Sequence, residues 1–226
     1  MEEKLGKYID HTLLKPNAKI DDFVEAARIA KEYECASLCI PATFLADVAP
    51  VLQGSQILLC TVVGFPFGYS DTNSKLAEVN YALSLGALEI DMVINIAQFV
   101  SGKYMEVAQE IETLANQCHL QNAKLKVIIE TAYLDDAQKV KACQLAHGAG
   151  ADFVKTSTGY APSGATVEDI RLMHETVGGK MGIKASGGIQ DKQSMLALID
   201  AGATRIGTSR TKAILTGETA SSSSAY

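Results

Sequence analysis

The feature that most limits how this chain can fold is its alternation. Short apolar segments recur along it: "YIDHT" (8–12), "ASLCI" (36–40), "ILLCTVVGF" (57–65), "LEIDMVIN" (88–95), "LKVIIET" (125–131), "DFVKT" (152–156), "GIKAS" (182–186) and "TRIGT" (204–208). Their β-branched, apolar character suits strands of a parallel sheet covered by helices. Between them lie amphipathic segments that predict helices, including 21–33, 74–86, 103–117, 136–148 and 191–202. Three of the joints repeat. "SLGALEID", "GAGADFVK" and "DAGATRIG" each carry Gly then Ala, at Gly86, Gly150 and Gly202. A glycine there suits a left-handed helix C-cap that feeds the next strand. Eight strand signals in 226 residues favour an α/β fold of the (β/α)8 TIM-barrel kind. An open doubly wound sheet ranks second.

The expected layout is one barrel domain over 1–216, with a short helix before the first strand. A flexible Ser-rich tail, "GETASSSSAY" (217–226), follows it. The formal charge of −6 comes without a basic stretch, so neither nucleic acid nor an anionic membrane is an expected partner. The start of the chain lacks an apolar leader, and no apolar run approaches the length of a membrane span. The five cysteines, at 35, 39, 60, 118 and 143, are odd in number and lie in apolar segments without a C-x-x-C. They read as reduced core thiols of a cytoplasmic protein.

In either α/β architecture, chemistry sits at the carboxyl ends of the strands. Those ends offer Asp10, Thr12, Cys39, "GFP" (64–66), Asp91, Asn95, Glu130, Lys155, Lys184 and "GTS" (207–209). Lys155 and Lys184 close consecutive strands at similar depth. Two ammonium groups ~5 Å apart repel by roughly 3 kcal/mol at an effective dielectric of ~20. That repulsion favours release of a proton from one of them, and a neutral lysine amine is the nucleophile of Schiff-base chemistry. Asp91 lies mid-strand among apolar residues, where a carboxylate needs a partner. The lysines can supply one, which makes Asp91 either a structural ion pair or a proton shuttle. The glycine loops "KASGGIQD" (184–191), "IGTSRTK" (206–212) and "TSTGYAPSG" (156–164) suit phosphate, which backbone N–H groups bind after strands seven and eight of such barrels. The histidines form no H-x-x-x-H pair, which disfavours a zinc-dependent carbanion mechanism. On these residues alone, a phosphosugar isomerase with Glu130 as base and a non-catalytic phosphosugar-binding protein both remain open.

Seven segments, in order and over nearly the whole chain, resemble the motif set of the deoxyribose-phosphate aldolase family. They are "IDHTLLKP" (9–16), "VVGFPFG" (62–68), "EIDMVIN" (89–95), "VIIET" (127–131), "FVKTSTGY" (153–160), "IKASGGI" (183–189) and "RIGTSR" (205–210). The resemblance implies a metal-independent, cofactor-free class I aldolase whose partners are small phosphosugars and aldehydes. It leaves room for a homodimer. By motif, Lys155 is the Schiff-base lysine, Lys184 the lysine that tunes it, and Asp91 the proton donor and acceptor. Gly159, Gly187, Gly188, Gly207 and Ser209 match the phosphate loops, and Thr12 and Thr158 match substrate-lining positions. Tyr160 stands where other members carry Phe or Lys, which leaves its role open. Tyr226 matches a C-terminal tyrosine that in some members enters the site and assists proton transfer.

Overall fold

The computed structural model describes residues 4–217. The expected N-terminal helix is a single 3-10 turn, Leu5–Tyr8. The strands are β1 (Ile9–Thr12), β2 (Ser37–Cys39), β3 (Leu58–Val63), β4 (Glu89–Val93), β5 (Lys124–Ile128), β6 (Phe153–Lys155), β7 (Gly182–Ser186) and β8 (Arg205–Thr208). They pair in parallel and in chain order, and β8 returns to β1 to close the barrel. The helices are α1 (Ile20–Glu32), α2 (Leu45–Leu52), α3 (Thr72–Ser84), α4 (Ile96–Val100), α5 (Tyr104–Leu120), α6 (Asp136–Gly148), α7 (Val167–Val177), α8 (Lys192–Asp200) and α9 (Thr211–Thr216). Among the described residues, no helix is long and apolar enough to cross a membrane.

Several strands end earlier than their apolar runs, for local reasons. The run at 57–65 stops at Val63 because Gly64 turns left-handed, with φ 61°. The run at 88–95 stops at Val93, since Asn95 instead caps α4 by accepting the Gln98 N–H at 3.1 Å. Glu130 also lies beyond its strand, in the left-handed region at φ 52°. The helices at 45–52, 96–100, 167–177 and 211–216 add to those expected. Of these, α7 carries a legible start signal: Thr166 accepts the Asp169 N–H at 3.0 Å. The three joint glycines have φ of 87°, 84° and 117°, as a left-handed C-cap requires. At Gly202 a Cβ would also fall 2.5 Å from the His174 ring.

Alternation along the strands sorts the side chains into two sets. Ile9, Leu38, Ile90, Met92, Val127, Val154, Ile183 and Ile206 belong to the core shared with the helices. The residues between them point inward. They include Asp10, Cys60, Glu89, Asp91, Lys126, Lys155, Lys184 and Arg205, which touch one another across the barrel. One face of the sheet is therefore hydrocarbon, and the other is a buried ionic network. Gly217 closes α9 at φ 73°. Residues 218–226, Tyr226 with them, lie outside the described residues.

Candidate active site

Lys155 is the last residue of β6, in register with Lys184 on β7 and Ile128 on β5. Asp91 on β4 is in register with Val62 and Lys126. Its Oδ2 accepts from Lys155 Nζ at 2.7 Å and from Lys184 Nζ at 2.7 Å. Its Oδ1 accepts from Lys126 Nζ at 2.9 Å and from the Cys60 thiol at 3.4 Å. Lys126 also reaches Glu89 at 2.6 Å and Asp10 at 3.1 Å. Lys184 reaches Asp10 Oδ2 at 2.5 Å, and Arg205 bridges Asp10 and Glu89 at 2.5 and 2.8 Å. Asp10, Glu89, Asp91, Lys126 and Lys184 are fully buried, while Lys155 is 3% exposed at the mouth.

Desolvation of this kind would neutralise isolated charges. Burial alone would raise the Asp91 carboxyl, but Lys126, Lys155 and Lys184 outweigh it and hold it well below the usual carboxylate range. Burial likewise opposes charge on Asp10, and Lys126, Lys184 and Arg205 hold it low. Burial would lower Lys126 and Lys184, but Asp10 and Asp91 outweigh it and keep both above the ordinary lysine value. Lys126 and Lys184 are therefore fixed cations. The structure also revises the simple picture of two ammonium groups repelling each other. A carboxylate oxygen sits between Lys155 and Lys184, and their mutual repulsion acts within a network that attracts both.

The loops beyond the strands build a cradle beside this network. Gly187, Gly188, Gly207, Ser209 and Arg210 line a shallow depression of about 30 Å³. Gly159 turns at φ 91° within the β6–α7 loop. Further along that loop Gly164 lies on Gly187 so closely that a Cβ there would fall 2.1 Å from the Gly187 carbonyl oxygen. Thr12 donates to the carbonyl of Asp10 at 2.9 Å. The Thr158 hydroxyl donates to Glu130 at 2.5 Å, and its N–H reaches the same carboxylate at 3.1 Å. Burial raises the Glu130 carboxyl, and the Thr158 hydrogen bonds pull it back. Glu130 thus braces the loop that follows Lys155. Tyr160 does not line the cradle. Its ring stands edge-on to Phe65 and its hydroxyl donates to the Leu14 carbonyl at 2.8 Å, in the wall of a neighbouring apolar groove.

The profile of the DeoC/LacD family aldolases matches residues 5–217. The chain belongs to the DeoC/LacD aldolase family. A deoxyribose-phosphate aldolase of Streptococcus sanguinis is 49% identical over 218 residues, covering 96% of this chain and 98% of that one. That of Carboxydothermus hydrogenoformans is 47% identical, covering 95% of each. The tetrameric deoxyribose phosphate aldolase of Aeropyrum pernix superposes with a TM-score of 0.88 at 30% identity, over 94% of this chain and 90% of that one. As a member of this family the chain is an aldolase, a carbon–carbon lyase on a TIM barrel.

The structure groups more residues at the candidate site than the motifs name. The structure brings together Lys155, Lys184 and Asp91, and puts Gly187, Gly188, Gly207 and Ser209 at one cradle. It adds Lys126, Asp10, Glu89 and Arg205, which complete the ionic network, and Gly164, which supports the cradle. A signal for Lys126 and Arg205 was present. Strand alternation that groups Glu89 with Asp91 also turns Lys126 and Arg205 toward the barrel interior. All five cysteines are buried and unpaired. Cys39 and Cys60, however, pack together with Leu14 in a small cluster apart from the main core.

Proposed function

We propose that the chain reversibly cleaves 2-deoxy-D-ribose 5-phosphate to D-glyceraldehyde 3-phosphate and acetaldehyde, with Lys155 as the Schiff-base lysine. The observation that carries this reading is a charge surplus. Four cations, Lys126, Lys155, Lys184 and Arg205, face three carboxylates, Asp10, Glu89 and Asp91. One lysine can give up its proton and leave every carboxylate paired. Lys126 has three carboxylate neighbours, and Lys184 has two. Lys155 has one ion pair, to Asp91, and stands at the mouth.

The neutral Lys155 amine adds to C1 of the open-chain sugar, and loss of water leaves an iminium. The C2–C3 bond breaks, and its electron pair moves into the enamine on Lys155. The proton of the 3-hydroxyl passes through water toward Asp91. Asp91, held below the usual carboxylate range, relays protons rather than storing them. Glyceraldehyde 3-phosphate leaves, C2 of the enamine takes up a proton, and hydrolysis frees acetaldehyde. The 187–188 loop begins just past Ser186, two residues beyond Lys184, or about 7 Å along the strand. This distance suits a five-carbon chain held by its phosphate with C1 at the amine, so that phosphate binding positions the reacting carbon. The imine is itself the electron sink, so the proposed chemistry calls for no metal or cofactor. Unpaired buried cysteines suit a cytoplasmic setting.

Borohydride reduction in the presence of substrate, followed by peptide mass mapping, tests the proposal. The expected result is a covalent adduct on the Lys155 peptide and loss of activity. An adduct on another lysine, or turnover that persists without an adduct, would overturn it.

A further inference from the structure

We propose that Cys39, Cys60 and Asp91 form a binding site for a thiophilic divalent cation such as zinc or cadmium, and that its occupation stops the aldolase. Cys39 and Cys60 are in register on the adjacent strands β2 and β3. Both are fully buried on the inner wall, and they pack together in one small cluster. Cys60 already donates to Asp91 Oδ1 at 3.4 Å. One donor atom from each of the three residues lies within 4.8 Å of the others. Tetrahedral zinc with Zn–S bonds of about 2.3 Å sets its ligands roughly 3.8 Å apart. Side-chain rotation can close that difference without moving the strands.

The charge balance permits the ion despite the nearby lysines. Binding follows M²⁺ + 2 RSH → M(SR)₂ + 2 H⁺, so two charges enter and two protons leave. Lys126 donates to both Asp91 Oδ1 and the Cys60 sulfur, at 2.9 and 3.2 Å. Both contacts give way to the ion, and Lys126 retains Glu89 and Asp10. Asp91 Oδ2 still faces Lys155 and Lys184. The other close trio of donors, Asp10, Cys60 and Glu89, has its carboxylates engaged by Lys126 and Arg205. Leu14, Val62 and Phe65 pack over the two thiols and also line the open apolar groove, so these side chains must part to admit the ion. Thiolate ligands select zinc-like ions over magnesium or calcium. Once bound, the ion draws on the Asp91 carboxylate through Oδ1 and makes Oδ2, which faces Lys155, a poorer proton acceptor for the relay. The inhibition rests on the catalytic reading above, whereas the binding does not.

The test is a cadmium titration of the full chain in a buffer free of chelating thiols. It reads the ultraviolet thiolate-to-cadmium charge-transfer band, the protons released and the initial aldolase rate. One equivalent of cadmium, two protons per ion and a parallel loss of rate reversed by EDTA are expected. Cys39→Ser and Cys60→Ser should each bind cadmium at least about 100-fold more weakly. Their inhibition is scored against each variant's own metal-free rate. Wild-type protein that shows no band at micromolar cadmium overturns the site. So does a band that persists in both variants, since the ion would then sit at Cys35, Cys118 or Cys143. The band forms without turnover, so its failure is distinguishable from a failure of the aldolase reading.

Discussion

Lys184→Met tests the charge surplus most directly. Lys155 and Lys184 each lie 2.7 Å from Asp91 Oδ2, so their Nζ atoms are at most about 5.4 Å apart. At an effective dielectric of ~20, that separation corresponds to at least about 3 kcal/mol of repulsion. Both groups are buried, so solvent screening is weak. The substitution leaves three cations facing three carboxylates. Deprotonating Lys155 then leaves two cations, Lys126 and Arg205, for three carboxylates and forfeits the repulsion that aided it. The free amine becomes harder to form by about 3 kcal/mol, or roughly 100-fold in rate. The fold should survive, because Asp91 keeps Lys155 and Lys126, and Asp10 keeps Lys126 and Arg205. The assay is cyanoborohydride trapping of acetaldehyde on Lys155, followed by mass spectrometry across a pH series. Lys184→Met should trap about 100-fold more slowly at neutral pH. Trapping at the wild-type rate at neutral pH, with the protein folded, would refute the surplus argument.

Gly164→Ala places a methyl 2.1 Å from the Gly187 carbonyl oxygen, so the cradle loop must move. We expect the KM for the phosphorylated sugar to rise, while trapping of unphosphorylated acetaldehyde on Lys155 stays at the wild-type rate. A parallel loss of both would instead assign Gly164 to the fold as a whole. His11 is buried against Thr211, 2.8 Å from its hydroxyl, and desolvation lowers its pKa from 6.5 to about 4. Below pH 6.5 the unfolded chain takes up a proton that the native imidazole refuses. Its contribution is therefore full above pH 6.5 and lost as pH falls toward 4, by roughly 3 kcal/mol in all. Urea unfolding of His11→Asn over that range should show a correspondingly flatter acid loss than wild type, and an unchanged slope would refute the assignment.

Lys155 was legible because it closes β6, where barrel chemistry gathers; Lys184 and Asp91 stand mid-strand in β7 and β4 and were legible as charges inside apolar runs. The glycine joints were legible because a left-handed cap leaves a residue-type trace. What the sequence hid was pairing. Arg205 meets Asp10 across 195 residues, and Lys126 meets Asp91 across 35. No local pattern encodes such register, although alternation did mark these side chains as facing inward. Gly164 was hidden for a similar reason: its contact is with the carbonyl of Gly187 on another loop. Asn95 and Glu130 were read as strand residues because the apolar runs continue to them. In fact one caps a helix and the other braces Thr158.

The same pairing explains why so costly an interior is retained. Replacing a buried ionic network with hydrocarbon is often neutral or stabilising, so stability alone is a weak reason to keep one. A hydrocarbon barrel could not hold a lysine ready to lose its proton. Here the cations of the network are held unequally. Lys126 is held by three carboxylates, and Arg205 and Lys184 by two each. Lys155 has one ion pair and shares that oxygen with Lys184. On the proposed chemistry, the surplus charge is relieved most readily at Lys155, where a carbonyl can arrive. The multiply held cations fix the strands' inner faces, and the singly held one leaves its amine available for a covalent bond.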